Sequence, residues 1–139
     1  MKFTTYKINP VAKPRQTRSS KWKKTPADEL YYRFKDEIRA MNTNLPEKGG
    51  HIIFVRSMPL SWNPKKRDKM RFTACQSTPD LDNMCKALLD SLFKNDSHIW
   101  DIRLSKCWGD TGYIIIFEGL KTDWLKGFLR DNLPLFDGS

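Results

Sequence analysis

Asp80 and Asp82 stand two residues apart at what reads as the start of a helix. Lys86 and Asp90 follow at four-residue intervals, so Asp82, Lys86 and Asp90 share one stripe of that helix. Asp96 falls in the turn after it, where the next strand can bring it back beside the helix start. Carboxylates gathered near one point repel and raise one another's pKa. A hard divalent cation offsets that repulsion, and Mg²⁺ takes oxygen ligands while keeping positions for water and substrate phosphates. Such a cation activates water and stabilises charge on a phosphodiester. Lys86, one turn along, can hold a phosphate or neutralise developing charge. The spacing also admits a plainer reading: Asp82 caps the helix, and Lys86–Asp90 is a surface ion pair worth roughly a few tenths of a kcal/mol. An EF-hand loop is excluded, because counting from Asp80 the sixth position is Cys85 rather than Gly and the twelfth is Ser91 rather than Glu.

The elements that must position these residues follow from periodicity. Asp82 as N-cap predicts a helix over about 83–93, with Leu81, Met84, Cys85, Leu88, Leu89 and Leu92 on its apolar face. Thr25-Pro26 opens an earlier helix, with Asp28 and Glu29 in the first turn and Leu30, Phe34, Ile38 and Met41 as its apolar face. Residues 2–8, 51–58, 98–108 and 113–118 read as strands. On 98–108, Trp100, Ile102, Leu104 and Trp108 share a face, and GDTG at 109–112 reads as a hairpin turn into 113–118. Residues 59–72 read as a loop or ragged hairpin, Phe72–Cys75 as a short strand, and 122–131 as a short amphipathic helix. The expected class is α+β: a mixed sheet with an antiparallel hairpin and helices packed on it. One domain over 1–139 is expected, with a basic N-terminal segment at 9–25 and a helical tail at 122–139.

Charge points to the partner. Lys and Arg number 25 against 16 Asp and Glu, a net +9. Eight of the cations lie in residues 1–24, which hold no acid, so the remaining chain is nearly neutral at 17 against 16. An acidic partner is expected, nucleic acid first. Candidate phosphate contacts are Lys13, Arg15, Arg18, Lys21, Lys23 and Lys24 in the arm and Lys65, Lys66 and Arg67 in a second patch. The bland alternative for the arm is a solvated tail. Trp22 and Trp62, inside the basic segments, either stack on unpaired bases or pack onto the body. His98 is either a proton shuttle beside Asp96 or a turn histidine without that role. No apolar run is long enough to span a membrane, and MKFTTYKINP lacks the apolar stretch of a signal peptide. Three cysteines without a CxxC pair suggest free thiols in a reducing cytoplasm, and two histidines without finger spacing argue against zinc.

The run Asp80-Leu81-Asp82-Asn83-x-x-Lys86, with Asp90 and then Asn95-Asp96-Ser97-x-Ile99, resembles the signature of the RusA family. These are small endodeoxyribonucleases that resolve Holliday junctions, many carried by phages and prophages. KPRQTR at 13–18 resembles the family's basic N-terminal segment, and the order of elements agrees to about residue 118. The resemblance implies a homodimer that binds Mg²⁺, with Mn²⁺ as substitute, and nicks opposed strands of a four-way junction to leave 5′-phosphate ends. It implies Asp80, Asp82 and Asp96 as essential acidic metal ligands and Lys86 as the catalytic lysine. Asp90 matches a frequently acidic position, and Asn83 is a possible accessory residue. Three features depart from the pattern. Pro79 stands where some members have Arg, the loop carrying Lys65, Lys66 and Arg67 is expanded, and the Phe93-Lys94-Asn95 link is short. That short link leaves Asp101 as the alternative third carboxylate. The tail after residue 118 has no counterpart in the resemblance.

Overall fold

The computed structural model describes residues 2–14, 25–47, 50–118 and 124–133. Its elements in chain order are β1 (Phe3–Tyr6), α1 (Pro26–Ala40), β2 (Gly50–Ser57), α2 (Pro64–Met70), α3 (Leu81–Leu92), β3 (Ile102–Gly109), β4 (Tyr113–Glu118) and α4 (Trp124–Asn132). The class is α+β, with one mixed four-stranded sheet in the order β1-β4-β2-β3. β2 pairs with β3 in parallel, while β4 runs antiparallel to both β1 and β2.

The sheet order corrects one expectation. β3 and β4 are not a hairpin pair, because β2 lies between them. Twice the ~4.8 Å strand spacing separates them, about 9.6 Å. Three linking residues at ~3.4 Å each can cover that gap, so a short turn does not by itself require adjacent strands. β2 takes the centre because Ile52, Phe54 and Val55 are all buried there. Gly112 in the link meets the N-terminal segment so closely that a Cβ would lie 2.5 Å from Asn9 Cα.

A parallel pair needs a long crossover, usually helical, and α3 lies within the one between β2 and β3. Ile52 and Phe54 of β2 and Ile114 and Ile116 of β4 supply the core face of the sheet. Phe34 and Ile38 of α1 and Met84, Ala87 and Leu88 of α3 close over it. Fully burying such a side chain contributes roughly 1.5–3 kcal/mol. Ile8, Pro10 and Val11 are buried too, so the start of the expected irregular arm is part of the body rather than a free tail. Arg15, Arg18, Lys21, Lys23, Lys24 and Trp22 lie outside the described residues.

α1 begins as its sequence dictates. Thr25 Oγ1 accepts from the Asp28 amide at 3.2 Å, and the Thr25 amide donates back to Asp28 Oδ2 at 3.0 Å. Its buried face is Tyr31, Phe34 and Ile38, whereas Leu30 and Met41 are exposed. Stripes through 30 and 31 share Phe34 and Ile38, so spacing alone could not separate them. Residues 64–70 form a helix rather than a loop, because Asn63 Oδ1 accepts from the Lys66 amide at 2.8 Å and Pro64 opens the first turn. The expected strand at Phe72–Cys75 reduces to one bridge, Ala74 to Cys107, along the outer edge of β3. Trp100 precedes β3 and is exposed, not core, while Trp108 is buried against Trp62 with ring centroids 5.0 Å apart.

Candidate active site

α3 starts two residues earlier than expected. The Met84 amide donates to Asp80 O at 3.1 Å, which makes Asp80 the N-cap and puts Asp82 in the first turn. Asp80 makes no side-chain capping bond. An N-cap carboxylate normally accepts from the second or third amide of its helix, so this one is left for other use. Asp82 and Lys86 are exposed and have neither a hydrogen bond nor an ion pair among the described residues.

The loop leading to Asp80 is held by two cations from the sheet. Lys106 Nζ donates to Ser77 O at 2.6 Å and to Pro79 O at 2.9 Å. Arg56 Nη1 donates to Thr78 O at 2.5 Å. Three successive carbonyls are thus captured just before the first carboxylate. Lys106 lies beside Phe54 in the β2–β3 register and Arg56 beside Trp108, so both cations stand on the helix-covered face. Charge-assisted bonds of this kind are the stronger ones. Sequence reading missed both residues. Each is one cation in an alternating strand, and nothing in its neighbours marks it.

Asp96 precedes β3, half-buried, in a turn closed by the Ser97 amide on Asn95 Oδ1 (2.9 Å) and the Ile99 amide on Asp96 O (3.0 Å). Its charge and that of Asp82 both act on the Cys85 thiol. That thiol is pushed up first by burial, then by Asp96, then by Asp82. The fold therefore brings Asp96 and the helix start within electrostatic reach of one buried group. Asp101 sits just ahead of β3, half-buried, and not in mid-strand.

Among the described residues, no three His, Cys, Asp or Glu side chains converge as a ready-made metal cage. Mg²⁺ does not need one, since it is typically held by one or two carboxylates plus waters and substrate phosphates. Asp80 and Asp82 fit that demand: hard oxygen donors, exposed, and uncommitted to any protein partner among the described residues.

Asp90 is different. Its Oδ2 accepts from Lys13 Nζ at 2.6 Å and from the Tyr31 hydroxyl at 3.3 Å. Burial first, and then the Asp90 charge, push the Tyr31 phenol up to about 12, so it stays a donor at neutral pH. The Lys86–Asp90 ion pair of the plainer reading is therefore not formed, and the start of the arm supplies the cation instead. Lys13 also reaches α3 through its amide, which donates to Asn83 O at 3.4 Å.

The second basic patch divides as well. Arg67 is committed to backbone, donating from Nε to Trp62 O at 3.1 Å and from Nη2 to Pro59 O at 3.0 Å. Lys66 Nζ lies 4.4 Å from the centre of the Trp62 ring, and Lys65 is exposed. Trp62 packs on the body and is half-buried. His98 rests edge-on against Phe93 and lies 3.6 Å from Glu47. No helix of the described residues is long and apolar enough to cross a membrane.

The family model described as endodeoxyribonuclease RusA matches residues 7–117. That span runs from just before the buried Ile8 to Phe117, one residue short of the end of β4, and leaves β1 and α4 outside. The curated proteins give no match.

Proposed function

Because this chain belongs to the RusA family of endodeoxyribonucleases, we propose that it resolves four-way DNA junctions by paired nicks, as a cytoplasmic homodimer in recombination and repair, encoded by phage or host. The observation that carries this reading is the state of the acids on the matched helix. Asp80 and Asp82 are exposed and uncommitted among the described residues, with Lys86 one turn further along.

In this reading Asp80, Asp82 and Asp96 hold Mg²⁺, or Mn²⁺ in its place. When bound, the metal supplies an activated water and charge neutralisation at the phosphodiester. Lys86 holds a non-bridging oxygen of the phosphate being cut. Arg56 and Lys106 fix the carbonyls ahead of Asp80, so that its carboxylate would already be oriented to hold the metal. Lys65, Lys66 and the cations of 15–24 grip the arms of the junction. Asn83 is accessory. Asp90 is a structural acid that anchors Lys13.

The test is a synthetic four-way junction with Mg²⁺ or Mn²⁺, comparing the wild type with Asp82→Asn. Symmetric nicks leaving 5′-phosphate ends are expected from the wild type, with binding but no cleavage from the variant. No nicking of any DNA with either metal would sink the catalytic reading. Equal rates on flaps or linear duplex would remove the junction preference.

A further inference from the structure

A groove of about 700 Å³ runs between the second half of α1 and the end of α3. Four cations line it, Lys13, Lys35, Arg39 and Lys94, against one carboxylate, Asp90, so three positive charges are in surplus. Asp90 is already occupied by Lys13 and the Tyr31 hydroxyl. Lys35 Nζ lies 5.2 Å from the Tyr31 ring centre. Arg39 donates from Nε to Ser91 O at 3.0 Å, which fixes the guanidinium while leaving its Nη groups without a partner among the described residues. Lys94 is exposed and has no ion pair among the described residues. Two helix ends abut the groove and contribute about −0.5 each, so a balance of about two positive charges remains.

The groove continues the stripe that carries the site. From Asp82 through Lys86 to Asp90 is eight residues, about 12 Å at the helical rise of ~1.5 Å. At ~3.4 Å per nucleotide along one strand, that is about three to four nucleotides. Resting on the nuclease reading above, we propose that this groove is a second phosphate-binding site for the DNA strand being cut, engaging its backbone about three nucleotides from the scissile phosphate. A polyanion suits it better than a small anion. The cations are exposed or half-exposed, so each contact is weak alone. Neutralising successive phosphates adds up through counterion release.

The test uses the full chain carrying Asp82→Asn, which is expected to bind without cutting. Lys35→Gln with Lys94→Gln is added, and junction affinity is measured between about 50 and 200 mM salt. The slope of log K against log salt should fall by about 1.8, roughly 0.9 for each of two contacts. Lys94→Glu alone should weaken junction binding in the same direction, which guards against a folding artefact in the double variant. In otherwise wild-type protein, a methylphosphonate placed about three nucleotides to one side of the scissile bond should slow nicking, and in the double variant it should not. An unchanged slope overturns the groove while leaving nicking intact. If nicking itself is absent, the nuclease reading fails and the slope still judges the groove. Displacement of junction DNA from the wild type by millimolar inorganic phosphate, absent in the double variant, would mean a small-anion site and overturn the proposal.

Discussion

Asp82 and Asp90 stand on the same stripe of the same helix, two turns apart, and their circumstances are opposite. Asp90 holds a lysine at 2.6 Å and a tyrosine hydroxyl at 3.3 Å, with α1 beside it. Asp82 is exposed and has no protein partner among the described residues, and the same holds for the carboxylate of Asp80. Equal chemistry in the sequence thus becomes a structural acid at one end of α3 and an available acid at the other. What separates them is the neighbour: α1 and Lys13 supply side-chain partners to Asp90, whereas near Asp82 the N-terminal segment makes only a backbone bond, from the Lys13 amide to Asn83 O.

The comparison can be broken by experiment. The largest effect should come from Asp82→Asn, with nicking reduced at least about a hundredfold, since even groups behind a metal ligand are worth ~10–100-fold. Its thermal midpoint should change little, because the carboxylate has no hydrogen bond or ion pair among the described residues and contributes mainly through the helix start. A large loss of stability would mean that Asp82 is the structural acid instead. Asp96→Asn should match that loss of nicking, with Asp101→Asn several-fold milder. Full activity in the Asp96 variant would transfer the third role to Asp101.

Lys106→Met comes next, with nicking down by about 10–100-fold from loss of orientation and junction affinity in Asp82→Asn background little changed. Stability should drop by about 0.5–1.5 kcal/mol, the usual net worth of a hydrogen bond, because the two acceptors are exposed or part-buried and can turn to water. Asp90→Asn should cost less, about 1 kcal/mol or below in urea unfolding, because the Lys13 pair is partly exposed. That loss should shrink in high salt. If nicking instead falls as far as in Asp82→Asn, the two acids are not distinct.

The smallest effect is on pH. His51 is held below the ordinary imidazole range, first by burial and then by the charge of Arg103. The folded state therefore disfavours its protonated form, and the unfolded chain takes up more protons. Stability should be full above about pH 6.5 and decline as pH falls below it. His51→Gln should flatten that decline in a urea titration series.

Local chemistry was legible in the sequence wherever it acts over a few residues. Thr25 with Asp28 specified the start of α1, and the Asp-x-Asp run marked the start of α3 to within two residues. Side-chain caps and backbone amides meet across three or four positions, so such signals are complete within a short segment. The apolar runs at 51–58 and 113–118 marked two strands for the same reason. Which strands become neighbours was not encoded at that range. The turn at 109–112 read as a hairpin, yet β2 lies between its strands, with Ile52, Phe54 and Val55 buried there.

The sequence by itself therefore determined the family, the place of the carboxylate pair at a helix start and the gathering of the surplus cations in the first 24 residues. Residue types and close spacing carry all three. Only the tertiary structure decided which acid is free and which is spent. It also decided that Lys13 serves Asp90, that Arg67 serves backbone, and that Arg56 and Lys106 hold the approach to Asp80. Those assignments depend on groups tens of residues apart meeting within about 3 Å, the reach of a hydrogen bond.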